Sequence, residues 1–210
     1  MWFLLAALTS QPSLAADASK PHPHQGVVPK FKGRPTLPTL SPANLEALSA
    51  GKSVLIQSKG SGGGTGIAIQ EVKASPKVIW SRILAFDHYH DWVDNVTSCK
   101  VYEKSGNTIK ADFVIGAALF SAEYYVTHDV HTDQNYLTWE LDYSRESDLD
   151  DSVGFWVVEE LPDKPGYSRV YYSVNVRVGG WMPGFVENMI AKSGLTKATA
   201  WVKRESEKAS

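Results

Sequence analysis

From Val96 onward apolar and polar residues alternate. Leu137, Trp139, Leu141 and Tyr143 share one side of a two-residue period, with Thr138, Glu140 and Asp142 on the other. Val170, Tyr172, Val174, Val176 and Val178 repeat the pattern against Ser173, Asn175 and Arg177. Successive strand side chains point to opposite faces. The alternation therefore predicts an antiparallel sheet with one apolar and one wet face. Polar turns at 105–107, 132–135 and 162–166 divide the region into strands 97–104, 108–114, 120–131, 136–143, 152–160 and 168–178.

Helical spacing flanks this region. Ser75-Pro76 is a cap followed by proline at the first helical position, and Val78, Ile79, Ile83 and Phe86 give that helix an apolar face with Trp80 near its edge. Residues 87–92 read as a turn or short second helix. Upstream, Ser41-Pro42 opens a short helix carrying Leu45 and Leu48, and Gly51 ends it. Strands are expected at 53–57 and 66–74, joined by a glycine-rich connection at 60–66. That connection lacks the Gly-Lys-Ser/Thr ending of a phosphate loop. At the C-terminal end, Met182, Phe185, Val186, Met189, Ile190, Leu195, Ala198, Trp201 and Val202 follow helical spacing after Pro183.

The order is thus strand, helix, short helix, six strands in meander and long helix. Specific residues stand at its joints: Val72-Lys73-Ala74-Ser75-Pro76 with Val78 and Trp80, Phe86 through Trp92 followed by Val96, Gly154-Phe155-Trp156-Val157-Val158-Glu159, and Trp181-Met182-Pro183. Over about residues 45–207 the chain resembles the START-like superfamily, also described as the SRPBCC or polyketide cyclase/dehydrase and lipid-transport superfamily. Within it, the chain resembles the coenzyme-Q-binding branch. The resemblance implies an α+β helix-grip fold, a curved antiparallel sheet wrapped around a long C-terminal helix. It also implies an interior cavity for sterols, phospholipids, quinones or polyketides, and no fixed catalytic set.

Residues at the sheet–helix junction are the candidates for such a cavity: Phe113, Tyr125, Trp139, Trp156 and Tyr172 on the sheet, and Phe185, Met189 and Ile190 on the helix. Aromatic residues make up 11% of the chain, so the same side chains could simply fill the space as core.

Before the domain, six prolines between Pro21 and Pro42 favour extended backbone. Residues 17–45 read as an arm that wraps the domain 46–207 or tethers it. Residues 1–16 read as an export signal, with an apolar run from Trp2 to Leu8 and small residues around Ser13-Leu14-Ala15-Ala16. The expectation is an exported soluble monomer in a periplasm, thylakoid lumen or secreted fluid.

Chemistry-bearing residues narrow the function. A net charge of -2 with scattered Lys and Arg gives no nucleic-acid footprint. His88 and His90, two apart in a helical turn, do not face each other. His128 and His131, three apart on a strand, point to opposite faces. His22 and His24 lie in the proline-rich arm. No metal or cofactor is expected. No nucleophile elbow or Cys/His signature is present, although Glu123 or Tyr125 could supply an acid or base. Cys99 reads as a buried inert thiol. Glu146, Asp148, Asp150 and Asp151 read as a solvated acidic loop or a dock for a basic partner. Binding of a hydrophobic small molecule, without enzymatic activity, is the primary expectation. The alternatives are an accessory protein that docks on a membrane assembly through the arm, and a cyclase- or dehydratase-like enzyme.

Overall fold

The computed structural model describes residues 16–60, 63–117, 120–178 and 194–210. Among them, eight strands form one sheet: β1 (Val54–Gly60), β2 (Gly63–Val72), β3 (Val96–Ser105), β4 (Thr108–Ala117), β5 (Phe120–His131), β6 (Tyr136–Leu141), β7 (Leu149–Glu160) and β8 (Ser168–Val178). Their order is β1-β2-β8-β7-β6-β5-β4-β3, and every neighbouring pair is antiparallel. The last six strands are the expected meander. Its final strand returns to pair with β2, so the two halves become one sheet.

Four helices accompany it: α1 (Pro42–Ser49), α2 (Pro76–Ile83), α3 (Tyr89–Trp92) and α4 (Gly194–Glu207), with a 3-10 turn at Phe86–His88 before α3. This is the α+β helix-grip architecture expected from the sequence. The predicted start of the last helix at Trp181-Met182-Pro183 lies outside the described residues.

Local chemistry accounts for the joints. Ser75 Oγ accepts from the Val78 amide, and Pro76, which has no amide hydrogen, stands where none is needed. The helix that follows buries Ile79, Trp80 and Ile83. The glycine-rich segment is more regular than expected: β1 and β2 continue their pairing through Lys59–Gly64 and Gly60–Gly63.

The inner face of the sheet packs on α2, α3 and α4 through a core that includes Val72, Ile79, Phe113, Leu137, Trp156, Val158, Trp201 and Val202. The other face is not uniformly wet. Leu48, Val54, Ile69, Tyr136, Phe155, Val157 and Tyr171 form a second buried cluster there, backed by Leu37 and Leu40. Here α1 and the proline-rich segment cover the sheet. β7 runs unbroken from Val153 to Val158 with every residue buried, as a strand covered on both faces must be.

The arm is held along its length, and the acidic stretch is its seat rather than a solvated loop. Asp17 bridges to Glu146, and the His22 amide donates to the Tyr143 carbonyl at 3.1 Å. His24 Nε2 is 3.1 Å from Asp150 Oδ1. The amides of Val27 and Val28 both donate to Asp151 Oδ2 at 2.6 Å. Phe31 stands edge-on to Phe155, and Arg34 pairs with Glu159. Amides of an extended arm that are shielded from water need an acceptor. Asp151, fully buried, supplies one oxygen to two of them.

Candidate functional site

Between the inner sheet face and helices α3 and α4 lies a cavity of about 190 Å³. That is far more than one ordered water requires. Its position follows from the strands. Phe113 on β4, Trp139 on β6, Trp156 on β7 and Tyr172 on β8 all line it. Tyr89 closes one side from α3, and Ala198 and Trp201 another from α4.

Tyr125 does not line it. On β5 the even-numbered Tyr124, Val126 and His128 face the cavity, so Tyr125 points to the opposite face. There its hydroxyl donates to Glu123 Oε1 at 2.7 Å, and its ring lies edge-on to Tyr102 and near the Arg145 guanidinium. The expectation took the wrong parity on this strand because aromatic residues occupy both Tyr124 and Tyr125. Phe185, Met189 and Ile190 lie outside the described residues.

The walls are aromatic and interlocked. Trp156 and Tyr172 meet at 4.4 Å between ring centroids, and Tyr172 stacks on Trp139 at 5.6 Å. Phe113 stacks on Tyr124 at 5.4 Å, and Tyr89 stands edge-on to Trp201 at 5.1 Å. Each ring braces its neighbour, so these walls hold their shape without filling the space between them.

A few polar groups interrupt the apolar lining. His128, only 5% exposed, directs Nδ1 to the Ile109 carbonyl at 3.1 Å. Burial lowers its pKa to about 4, so the ring is neutral near pH 7. Burial also raises the pKa of Tyr89, Tyr124 and Tyr172, which remain protonated. The Tyr89 hydroxyl donates to the Ile83 carbonyl. Trp139 Nε1 donates to Ser152 Oγ at 3.4 Å. Asp94 and Lys197 also border the cavity, both largely exposed and paired at 2.9 Å.

Sequence reasoning missed His128 as a cavity residue because it weighed that side chain only as a metal ligand with His131. The usable signal was its period-two register with Ala122, Tyr124 and Val126. Among the described residues, no cluster of three or more His, Cys, Asp or Glu could hold a metal ion. His88 instead stacks on Trp92 at the surface. Cys99 is buried, and burial raises its thiol pKa. The site can therefore enclose an apolar molecule and offer it neutral hydrogen-bonding groups.

Residues 72–200, more than half of the chain, match the family described as polyketide cyclase/dehydrase and lipid transport. No curated protein matches. Among solved structures, a START superfamily protein from Mycobacterium smegmatis is similar at a TM-score of 0.58 with 15% identity, covering 70% of this chain and 99% of its own. A STAR-related lipid transfer protein from Xanthomonas axonopodis has a TM-score of 0.58 with 11% identity, covering 74% and 92%. The Zhui aromatase/cyclase from Streptomyces sp. R1128 has a TM-score of 0.55 with 9% identity, covering 75% and 96%. At these identities the likeness is one of fold.

Proposed function

The chain belongs to the polyketide cyclase/dehydrase and lipid transport family, and we propose that it binds a hydrophobic small molecule between the sheet and α4. The observation that carries this reading is the cavity itself. Seven aromatic residues from seven elements converge on it, yet about 190 Å³ stays open. A core selected only for stability packs to near-crystalline density. A guest that hides about 200 Å² of apolar surface there gains about 5 kcal/mol, enough for sub-millimolar binding before any contact with the mouth is added. Compact ring compounds, quinones among them, and portions of a lipid suit an aromatic wall. The lipid transfer protein among the structural neighbours supports the same class.

Gentle purification followed by native mass spectrometry and organic extraction tests this. The expected result is a co-purifying neutral hydrophobe that leaves on extraction. A chain that carries none, and takes up none when offered lipid and quinone mixtures, would reject the reading.

One observation favours a second reading. His128 is a buried, neutral imidazole bordering the cavity, and one structural neighbour is an aromatase/cyclase. A pKa of about 4 makes His128 a weak base at neutral pH, which places binding ahead of catalysis. Turnover of a polyketide-like substrate that His128→Gln abolishes would reverse that order.

A further inference from the structure

The tautomer of His128 is fixed by its neighbour. A backbone carbonyl can only accept a hydrogen bond, so the 3.1 Å contact with the Ile109 oxygen places the ring proton on Nδ1. Nε2 then carries a lone pair and can only accept. Nδ1 is the nitrogen nearer the strand, tied to the adjacent strand β4. The same residue borders the cavity. Phe86 and Phe113, which flank the ring at 4.9 and 6.1 Å, have no donor to offer. Trp139 has one, but it goes to Ser152. Among the described residues the one hydrogen bond of the His128 ring is the Nδ1 contact with Ile109, which leaves Nε2 available to accept from a guest.

The complementary groups are donors. The Tyr124 and Tyr172 hydroxyls border the same cavity and have no hydrogen bond among the described residues. Among the described residues the one cation that borders it, Lys197, is engaged by Asp94. A charged head group would therefore lose hydration without gaining a buried counter-ion.

We propose that the cavity selects uncharged ligands carrying a hydrogen-bond donor, an alcohol or phenol, and that His128 Nε2 is the acceptor that selects them. The inference rests on the binding reading above and names the polar end of its ligand. A hydroxyl can donate to Nε2 and accept from a tyrosine at once. An ether or ketone can only accept, and a hydrocarbon can do neither.

Three probes of one size separate these cases: β-naphthol, its methyl ether and naphthalene, titrated calorimetrically into the delipidated full chain. The expected result is a preference for the naphthol over the ether of about tenfold. His128→Phe should reduce that preference to about twofold or less while naphthalene still binds. His128→Gln, whose amide oxygen can accept, should keep part of it. The Nε2 ¹⁵N resonance should move when naphthol binds and stay in place with the ether. Equal binding of naphthol and ether to the native chain overturns the proposal and leaves the binding reading intact, as does a preference that survives in His128→Phe. If none of the three binds, the binding reading itself fails. Should the Phe variant not fold, the native ratio and the ¹⁵N shift decide.

Discussion

The indole of Trp139 lies over the bare Cα of Gly154, its cross-strand partner on β7. A methyl group at Gly154 would overlap both Trp139 Cζ2 and the Ser173 carbonyl oxygen. The glycine is therefore required by close approach rather than by backbone angle. It also sets the depth of one cavity wall, because Trp139 in turn stacks on Tyr172.

Gly154→Ala should accordingly destabilise the chain by about 1–3 kcal/mol, as overpacking of a tight core does. It should also push Trp139 toward the cavity. Denaturant unfolding gives the first quantity. A near-ultraviolet circular dichroism change in the folded variant reports the second. A variant as stable as the parent, with an unchanged spectrum, would show that the strand absorbs the methyl group elsewhere.

Asp151 anchors the arm. Its carboxylate accepts from the Val27 and Val28 amides, from the Tyr143 hydroxyl at 2.8 Å and from the Ser152 amide at 2.8 Å. Asp151→Ala leaves these buried donors unsatisfied and should cost about 2–4 kcal/mol. Limited proteolysis should then cut within residues 18–35, which the native chain protects. Asp151→Asn keeps one acceptor oxygen and should release the arm less. An unchanged cleavage pattern in the Ala variant would mean the apolar contacts of Phe31, Leu37 and Leu40 suffice to hold it.

Burial lowers the pKa of His128 from 6.5 to about 4, so between these values the unfolded chain binds more protons than the folded one. Its contribution to stability is fully present above about pH 6.5 and is lost as pH falls toward 4. The total is about 3 kcal/mol. Comparing unfolding free energies of the native chain and His128→Gln across that range isolates this contribution, because the carboxylates are common to both. The difference between the two should shift by about that amount. Parallel curves would mean the imidazole is solvated.

Cys99 is buried and free, and burial raises its thiol pKa. The thiolate, which is the reactive form, is therefore scarce. An aromatic disulfide reagent should label it at the rate of global unfolding and not before. Rapid labelling under native conditions would indicate local opening between β3 and the helices.

Most of the fold was legible because each element carried its own signal. The caps at Ser41 and Ser75 and the alternation in β6 and β8 agree with the structure. That alternation puts Trp139 and Tyr172 on the sheet face that borders the cavity. What escaped depends on distant contacts. Nothing in local pattern says that Asp151 would bury itself to receive Val27 and Val28, 124 and 123 residues away. Acidic runs are usually solvated, and this one is ordered by an arm from the other end of the chain. Tyr125 was misplaced because two adjacent tyrosines make the parity of β5 ambiguous. His128 resolves that parity only when read with Ala122 and Val126.

Ligand binding requires the space beside Trp156, Tyr172 and Ala198 to be open to a guest. The most direct measurement fills it from within. Ala198 borders the cavity from α4 and is 8% exposed, so Ala198→Trp would place an indole there. Calorimetric titration of the native chain and the variant with naphthalene should give sub-millimolar or tighter binding for the first and none for the second. The variant should be at least as resistant to thermal unfolding as the native chain. Undiminished binding in a folded Ala198→Trp variant would contradict the account.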